Sequence, residues 1–185
     1  KESEERVLNP YCFREQPQIE KFLNSLPFEL TKAQQKVWEE IKRDMVSDKT
    51  MNRLIQGDVG SGKTILAVLA LLNCALAGKQ SAMMVPTEVL AKQQYDSIVK
   101  MFADSGLDIE IVLLTGSTSR KDKKAAYESI SSGKAQIIIG THALIQEKVE
   151  YNDLALVITD EQHRFGVNQR NTFGEKGHKP HVLVM

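Results

Sequence analysis

At 185 residues, with 42% apolar and 26% charged residues, the chain is close to the average of soluble globular domains and long enough to bury one core of its own. Its 24 basic and 24 acidic residues cancel, which excludes a uniformly basic nucleic-acid coat but leaves room for a local basic groove. Cys12 and Cys74 have neither metal-ligand nor disulfide spacing, so reduced thiols in a cytoplasmic setting are expected.

Residues 1–30 are charged and irregular, with Pro10, Pro17 and Pro27 as breakers. Lys1 to Arg6 is charged with no apolar stretch behind it, so no secretory leader is expected. A short amphipathic helix is predicted over 18–26, with Ile19, Phe22, Leu23 and Leu26 on one side. Thr31 is a candidate cap for a helix running to Val46, whose apolar side would be Ala33, Val37, Ile41 and Met45.

Strands and helices then alternate. Strands are predicted over 53–56, 81–85, 110–114, 136–139, 154–159 and 181–185. Helices are predicted over 63–77, over 88–102 after Pro86-Thr87, and over 120–131, the last closed by Gly133, with a turn or short helix at 141–145. The apolar run 65–77 is shorter than the roughly 20 residues that span a bilayer. It reads as a helix buried on most faces, and no membrane partner is expected. Several strands ("AMMV", "IVLL", "IIIG", "LALVIT") are continuous apolar runs, which suits a parallel sheet covered by helices on both faces. The expected fold is therefore α/β, in three layers around a mostly parallel sheet.

Residues 57–64, "GDVGSGKT", fit G-x-x-x-x-G-K-[ST] between a short apolar strand and a long helix. Glycines let a loop curl so that successive backbone N–H groups point inward, and the following helix adds its positive end. Gly57, Asp58, Val59, Gly60, Ser61 and Gly62 would cradle the phosphates of ATP or a related nucleotide. Lys63 would reach the β- and γ-phosphates, and the Thr64 hydroxyl would sit on Mg²⁺. A second half of such a site needs an acid after another buried strand. "LALVITDEQH" supplies Asp160, to hold Mg²⁺, and Glu161, to polarise the attacking water. The carboxyl ends of strands are where doubly wound sheets bind ligands.

The tetrad Asp160-Glu161-Gln162-His163 resembles the DExH box of superfamily 2 helicases and translocases. "LPFELTKAQQKVWEEI", "RLIQGDVGSGKT", "VPTEVLAKQQY", "LLTGS", "IIIGTHALIQEKV" and "VITDEQHRFGVNQR" follow in order. Together they resemble the first RecA-like motor lobe of the RecG family, bacterial ATP-dependent helicases acting on branched DNA. The likeness runs from about Leu26 to Met185, with "GTHALIQ" and "DEQHRFGVNQR" its most specific parts. The transcription-repair coupling factors are close relatives, but their usual pattern differs at Ser61 and reads "DEEHRFG". An RNA helicase lobe stays open, since the tetrad alone does not separate RNA from DNA motors. A GTPase switch would need an Asn-Lys-x-Asp-type loop, which the chain lacks.

The resemblance implies ATP and Mg²⁺ as cofactors and assigns further residues. Gln34 matches the glutamine that reads the adenine edge, though an exposed helix glutamine is the plainer alternative. Phe28 would pack on the base or in the core. Pro86 and Thr87, followed by Glu88, match one DNA-facing motif. Thr115, Gly116 and Ser117 match a second, and Gly140, Thr141 and His142 a third. Gln162 and His163 would couple hydrolysis to movement. Arg120, Lys121, Lys123 and Lys124 form a basic cluster that suits either phosphates or a solvated helix start. By the same likeness, residues 1–26 are a helical lead-in and 27–185 the lobe. A wedge domain and a second lobe in cis complete the motor, which is expected to be a bacterial cytoplasmic monomer. A piece of this extent would hydrolyse ATP slowly by itself.

Overall fold

Apolar strands without alternation need cover on both faces, and the arrangement of the helices supplies it. The computed structural model describes residues 16–46, 52–54, 62–146, 148–159 and 180–184. In chain order these form α1 (Pro17–Ser25), α2 (Lys32–Met45), β1 (Asn52–Leu54), α3 (Gly62–Leu76), β2 (Gln80–Met84) and α4 (Glu88–Asp104). Next come β3 (Ile111–Leu114), α5 (Arg120–Ser131), β4 (Ile137–Gly140), a 3-10 turn (His142–Ile145), β5 (Leu154–Thr159) and β6 (His181–Val184). The six strands lie in the order β1-β6-β5-β2-β4-β3, and every pairing is parallel.

The period of two along each strand divides the core. Met83, Ile139 and Ile158 are register partners and face the layer made by α1 to α4. Ala82, Ile138 and Val157, one residue back, face the layer made by α5, the 3-10 turn and Tyr151. Helix α3 lies deepest: Ile65, Leu66 and Ala67 through Leu72 are all buried. At roughly 1.5–3 kcal/mol for each large side chain removed from water, this helix contributes a large share of the core.

Two expectations about the amino-terminal helices need adjusting. The buried side of α2 is Trp38, Ile41 and Met45, with Val37 half-buried, whereas Ala33 is exposed. Trp38 is the larger apolar surface, and the helix rolls to bury it. Helix α1 is more than a lead-in to the core. Ile19 and Phe22 are buried within the α3–α4 layer, and the Phe22 ring meets Phe102 edge-on at 5.8 Å. Buried Asn73 on α3 accepts the Gln16 N–H at 2.8 Å, fixing where α1 begins.

The amino edge of the sheet is tied by side-chain amides. Buried Gln80 donates through Nε2 to the carbonyls of Ile130 and Ala135, both at 2.9 Å. Its Oε1 accepts the N–H groups of Asn152 (2.8 Å) and Asp153 (2.9 Å). Lys79 and Asp153 pair at 2.6 Å beside it. Gly133 ends α5 at φ 82, where a side chain is strained, and a Cβ there would also push Asn152 Nδ2, 2.6 Å away, aside. No helix among the described residues is long and apolar enough to cross a membrane.

Candidate functional site

Because all pairings are parallel, all strands end at one edge, and the register aligns those ends. Leu54 pairs with Val184, Val184 with Thr159, Thr159 with Met84, Met84 with Gly140, and Gly140 with Leu114. These six residues form one transverse row across the sheet. The described motifs that follow β2, β3 and β4 therefore depart from a single line. The ends of β1 and β5 stand two strands apart, about 10 Å at the usual spacing.

At one end of the row is β1, which the glycine loop follows in the sequence. Gly57, Asp58, Val59, Gly60 and Ser61 lie outside the described residues. Gly62 opens α3, Lys63 follows (its side chain is outside the described set), and Thr64 is half-buried at the base of the loop. The first turn of α3 offers backbone N–H groups without helical partners and the positive end of a 15-residue helix. Asp160, Glu161, Gln162 and His163 also lie outside the described residues; Asp160 directly follows Thr159 in the row.

Gln34 is engaged locally. Thr31 accepts from the Gln34 N–H at 3.1 Å, and Gln34 Oε1 accepts from the Thr31 N–H at 2.9 Å, a reciprocal capping box. Phe28 is 46% exposed and so is not a core residue. With Leu23, Leu30 and Trp38 it borders an open groove of about 750 Å³ along the outer side of α2.

The other end of the row carries three loops. After β2, Pro86 leads to Thr87, whose hydroxyl accepts from the Leu90 N–H at 3.2 Å and caps α4. Val89 and Leu90 then stand exposed on the same edge. After β3, Thr115 is buried; its hydroxyl lies 3.2 Å from that of Ser117, and its N–H donates to Thr118 Oγ1 at 3.0 Å. Glu88 Oε1 accepts the Ser117 N–H at 2.9 Å, and half-buried Lys123 donates to the Gly116 carbonyl at 3.1 Å. After β4, Thr141 is buried and its N–H reaches the Leu114 carbonyl at 3.4 Å, while His142 is exposed. The three loops thus adjoin one another. The second is contacted by Glu88 from the first and by Lys123 from the basic cluster, of which Arg120, Lys121 and Lys124 are exposed. The Glu88–Ser117 contact spans 29 residues, and no local pattern announces it.

Residues 31–179 match the family model described as DEAD/DEAH box helicase. The chain belongs to the DEAD/DEAH box helicase family. Within it, the chain is 54% identical over 161 residues to the ATP-dependent DNA helicase RecG of Streptococcus pneumoniae, covering 87% of this chain and 23% of the relative. It is 52% identical over 168 residues to RecG of Bacillus subtilis, covering 91% and 24% respectively. A structure of RecG bound to a three-way DNA junction superimposes with a TM-score of 0.84 at 45% identity, covering 98% of this chain and 24% of that one. The chain therefore spans about a quarter of the length of the RecG helicases it matches, and its fold is the α/β P-loop lobe of that family.

Proposed function

We propose that the chain is the ATP-binding motor lobe of a RecG-like DNA helicase that acts on branched DNA in recombination and repair. The observation that carries this is the transverse row. It ends β1, β5, β2, β4 and β3, the strands that the glycine loop, the acidic tetrad and the three hydroxyl-bearing loops follow in the sequence, on one edge in that spatial order, with β6 between the first two. Phosphate chemistry would sit at one end of that line and a nucleic-acid backbone would run along the other. The similar RecG structure is a complex with a three-way DNA junction, which supports the choice of branched DNA.

The described residues fit a nucleotide. The amino end of α3 is held in place by its buried length and points a cluster of backbone donors at the carboxyl edge. Thr64 and Asp160 offer hard oxygen donors, the type Mg²⁺ prefers. Bound Mg²⁺ would neutralise charge on the transferring phosphates. Loop residues 57–62 and Lys63 would hold the triphosphate, and Glu161 would take the proton of the attacking water. Gln162 and His163 would pass the change of nucleotide state to the rest of the motor. Gln34 would read the adenine edge: a carbonyl oxygen has two lone pairs, so Oε1 can keep the Thr31 N–H while accepting from the base. Hydroxyls and backbone N–H groups of the loops at Thr87, Ser117 and Thr141 would meet phosphates, which position a strand without reading its sequence.

By the family resemblance, an arginine from a second lobe completes the site. Such a group is worth about 10³–10⁵ in rate in related phosphate chemistry, so the 185 residues alone should turn over ATP very slowly. The test is titration of Mg-ATP against the wild-type chain and Lys63→Ala. Weak binding, micromolar to millimolar, that weakens further in the variant is expected; equal affinity would remove Lys63 from the role. For the whole motor, ATPase stimulation by forked over linear DNA is expected, and equal stimulation would overturn the branched-DNA reading.

A further inference from the structure

We infer that the Glu88 carboxylate is a built-in stand-in for a nucleic-acid phosphate at the Ser117 amide, and that DNA binding displaces it. The inference rests on the reading of the carboxyl edge as a nucleic-acid surface and adds to it a residue that opposes binding.

Glu88 Oε1 accepts the Ser117 N–H at 2.9 Å. The carboxylate also lies against Gly116, where an added Cβ would come 3.5 Å from the same oxygen. The obvious reading is a clamp that shapes the loop, but the loop holds itself. Thr115 N–H donates to Thr118 Oγ1 at 3.0 Å, and Thr118 N–H donates back to the Thr115 carbonyl at 3.3 Å. The Thr115 and Ser117 hydroxyls are paired at 3.2 Å, and Lys123 Nζ holds the Gly116 carbonyl at 3.1 Å. Four contacts thus define the turn before Glu88 is counted. The Ser117 amide is a donor presented outward by a preformed loop, and an anionic oxygen has found it.

A carboxylate oxygen and a phosphate oxygen are the same kind of acceptor for a backbone N–H. Glu88 and Ser117 are both exposed, so their bond competes with water and is readily exchanged. A phosphate approaching Ser117 meets the like charge of Glu88. If Glu88 swings out, that repulsion goes and the neighbouring Arg120, Lys121, Lys123 and Lys124 act unopposed. The residue therefore holds the site against stray anions and yields to a ligand that engages several loops at once.

The test compares the wild-type chain with Glu88→Gln and Glu88→Ala, using a fluorescent single-stranded oligonucleotide and anisotropy at low and near-physiological salt. Both variants should bind about three- to tenfold tighter at low salt, the gap narrowing as salt screens the removed charge. A clamp predicts the opposite: Glu88→Ala weaker, with Glu88→Gln close to wild type. Binding equal to or weaker than wild type in either variant overturns the inference while leaving the nucleic-acid reading intact. Salt-insensitive or absent binding by all three proteins overturns that reading and the inference with it. In ¹⁵N-labelled wild-type protein the Ser117 amide signal should move when DNA is added; DNA binding that leaves this signal in place also sinks the inference.

Discussion

Gly140, the last residue of β4, lies so close to the Leu114 carbonyl of β3 that a Cβ on it would sit 1.9 Å from the oxygen. Leu144 Cδ2 would crowd the same atom at 2.9 Å. On its other side, the Gly140 carbonyl accepts the Val85 N–H at 2.9 Å. One missing side chain lets β2, β3 and β4 end together, and the three loops proposed to meet nucleic acid depart from that point. Gly140→Ala is expected to destabilise the chain by about 1–3 kcal/mol, because the obstructing atom is backbone and cannot swing aside. Urea unfolding followed by circular dichroism measures it; wild-type stability would mean the strand ends can part without loss.

The opposite edge depends on Gln80, all of whose amide capacity is used within the protein. Gln80→Leu strands the Ala135 carbonyl and two N–H groups, while the Ile130 carbonyl keeps the Gly133 N–H at 3.2 Å, and each buried polar group left without a partner costs about 1–3 kcal/mol. Some relaxation toward water is available at Asn152 and Asp153, so a loss of about 3–5 kcal/mol is expected. Gln80→Glu should be no better, since its carboxylate would face the Ile130 and Ala135 carbonyls. The neighbouring Lys79–Asp153 pair is about one-third exposed, and Asp153→Asn should cost under about 1 kcal/mol. Denaturation midpoints of the three variants would rank them; a Gln80→Leu protein as stable as Asp153→Asn would refute the clasp.

The two edges show what a chain discloses and what it withholds. The 120–131 helix and the 154–159 strand coincide with α5 and β5 because capping, periodicity and apolar runs are local properties. The motifs at the strand ends are legible for the same reason. Their alignment in one row is not, because strand order and register are set by pairings between distant segments. Gln80 reads like any strand-end polar residue; its partners lie 50 to 73 positions away. A strict period favours Ala33 over Trp38, because it cannot say which neighbour of a stripe is worth rolling the helix to bury. Gln34 can be matched to a base-reading residue, but its second task in the capping box depends on a side-chain direction that periodicity leaves open.

Burial pushes the Cys74 thiol and the Tyr151 phenol above their ordinary values of 9.0 and 10.0. The Tyr151 hydroxyl also donates to the Leu144 carbonyl at 2.7 Å. The folded protein keeps both protons where the unfolded chain releases them. The Cys74 share of stability is therefore full below about pH 8.5 and the Tyr151 share below about pH 10, and each falls as pH rises further, by up to about 1.4 kcal/mol per pH unit. Cys74→Ala should flatten its share of the slope in urea midpoints from about pH 8.5 upward, and Tyr151→Phe its share only above about pH 10, in a series carried to about pH 11. A Cys12→Ser protein, whose sole thiol is then Cys74, should react with a thiol reagent only as fast as it opens. Rapid labelling under native conditions would contradict the buried placement.

Gln34 has two tasks that one substitution can separate. Its Oε1 serves the capping box, and a carboxylate oxygen at the same place serves it equally, since Glu and Gln both complete such a box. Reading an adenine edge needs the amide's donor as well as its acceptor, and a carboxylate has no donor. Gln34→Glu should therefore keep the wild-type melting temperature while weakening Mg-ATP binding about tenfold, with little change for Mg-tripolyphosphate, which has no base to read. Gln34→Ala should lose both, with about 0.5–1 kcal/mol of stability gone from the helix start. If Gln34→Glu weakens ATP and tripolyphosphate equally, its added charge is acting at the phosphates rather than the base, and the adenine-reading role falls. If neither ligand is affected, Gln34 is a cap and nothing more.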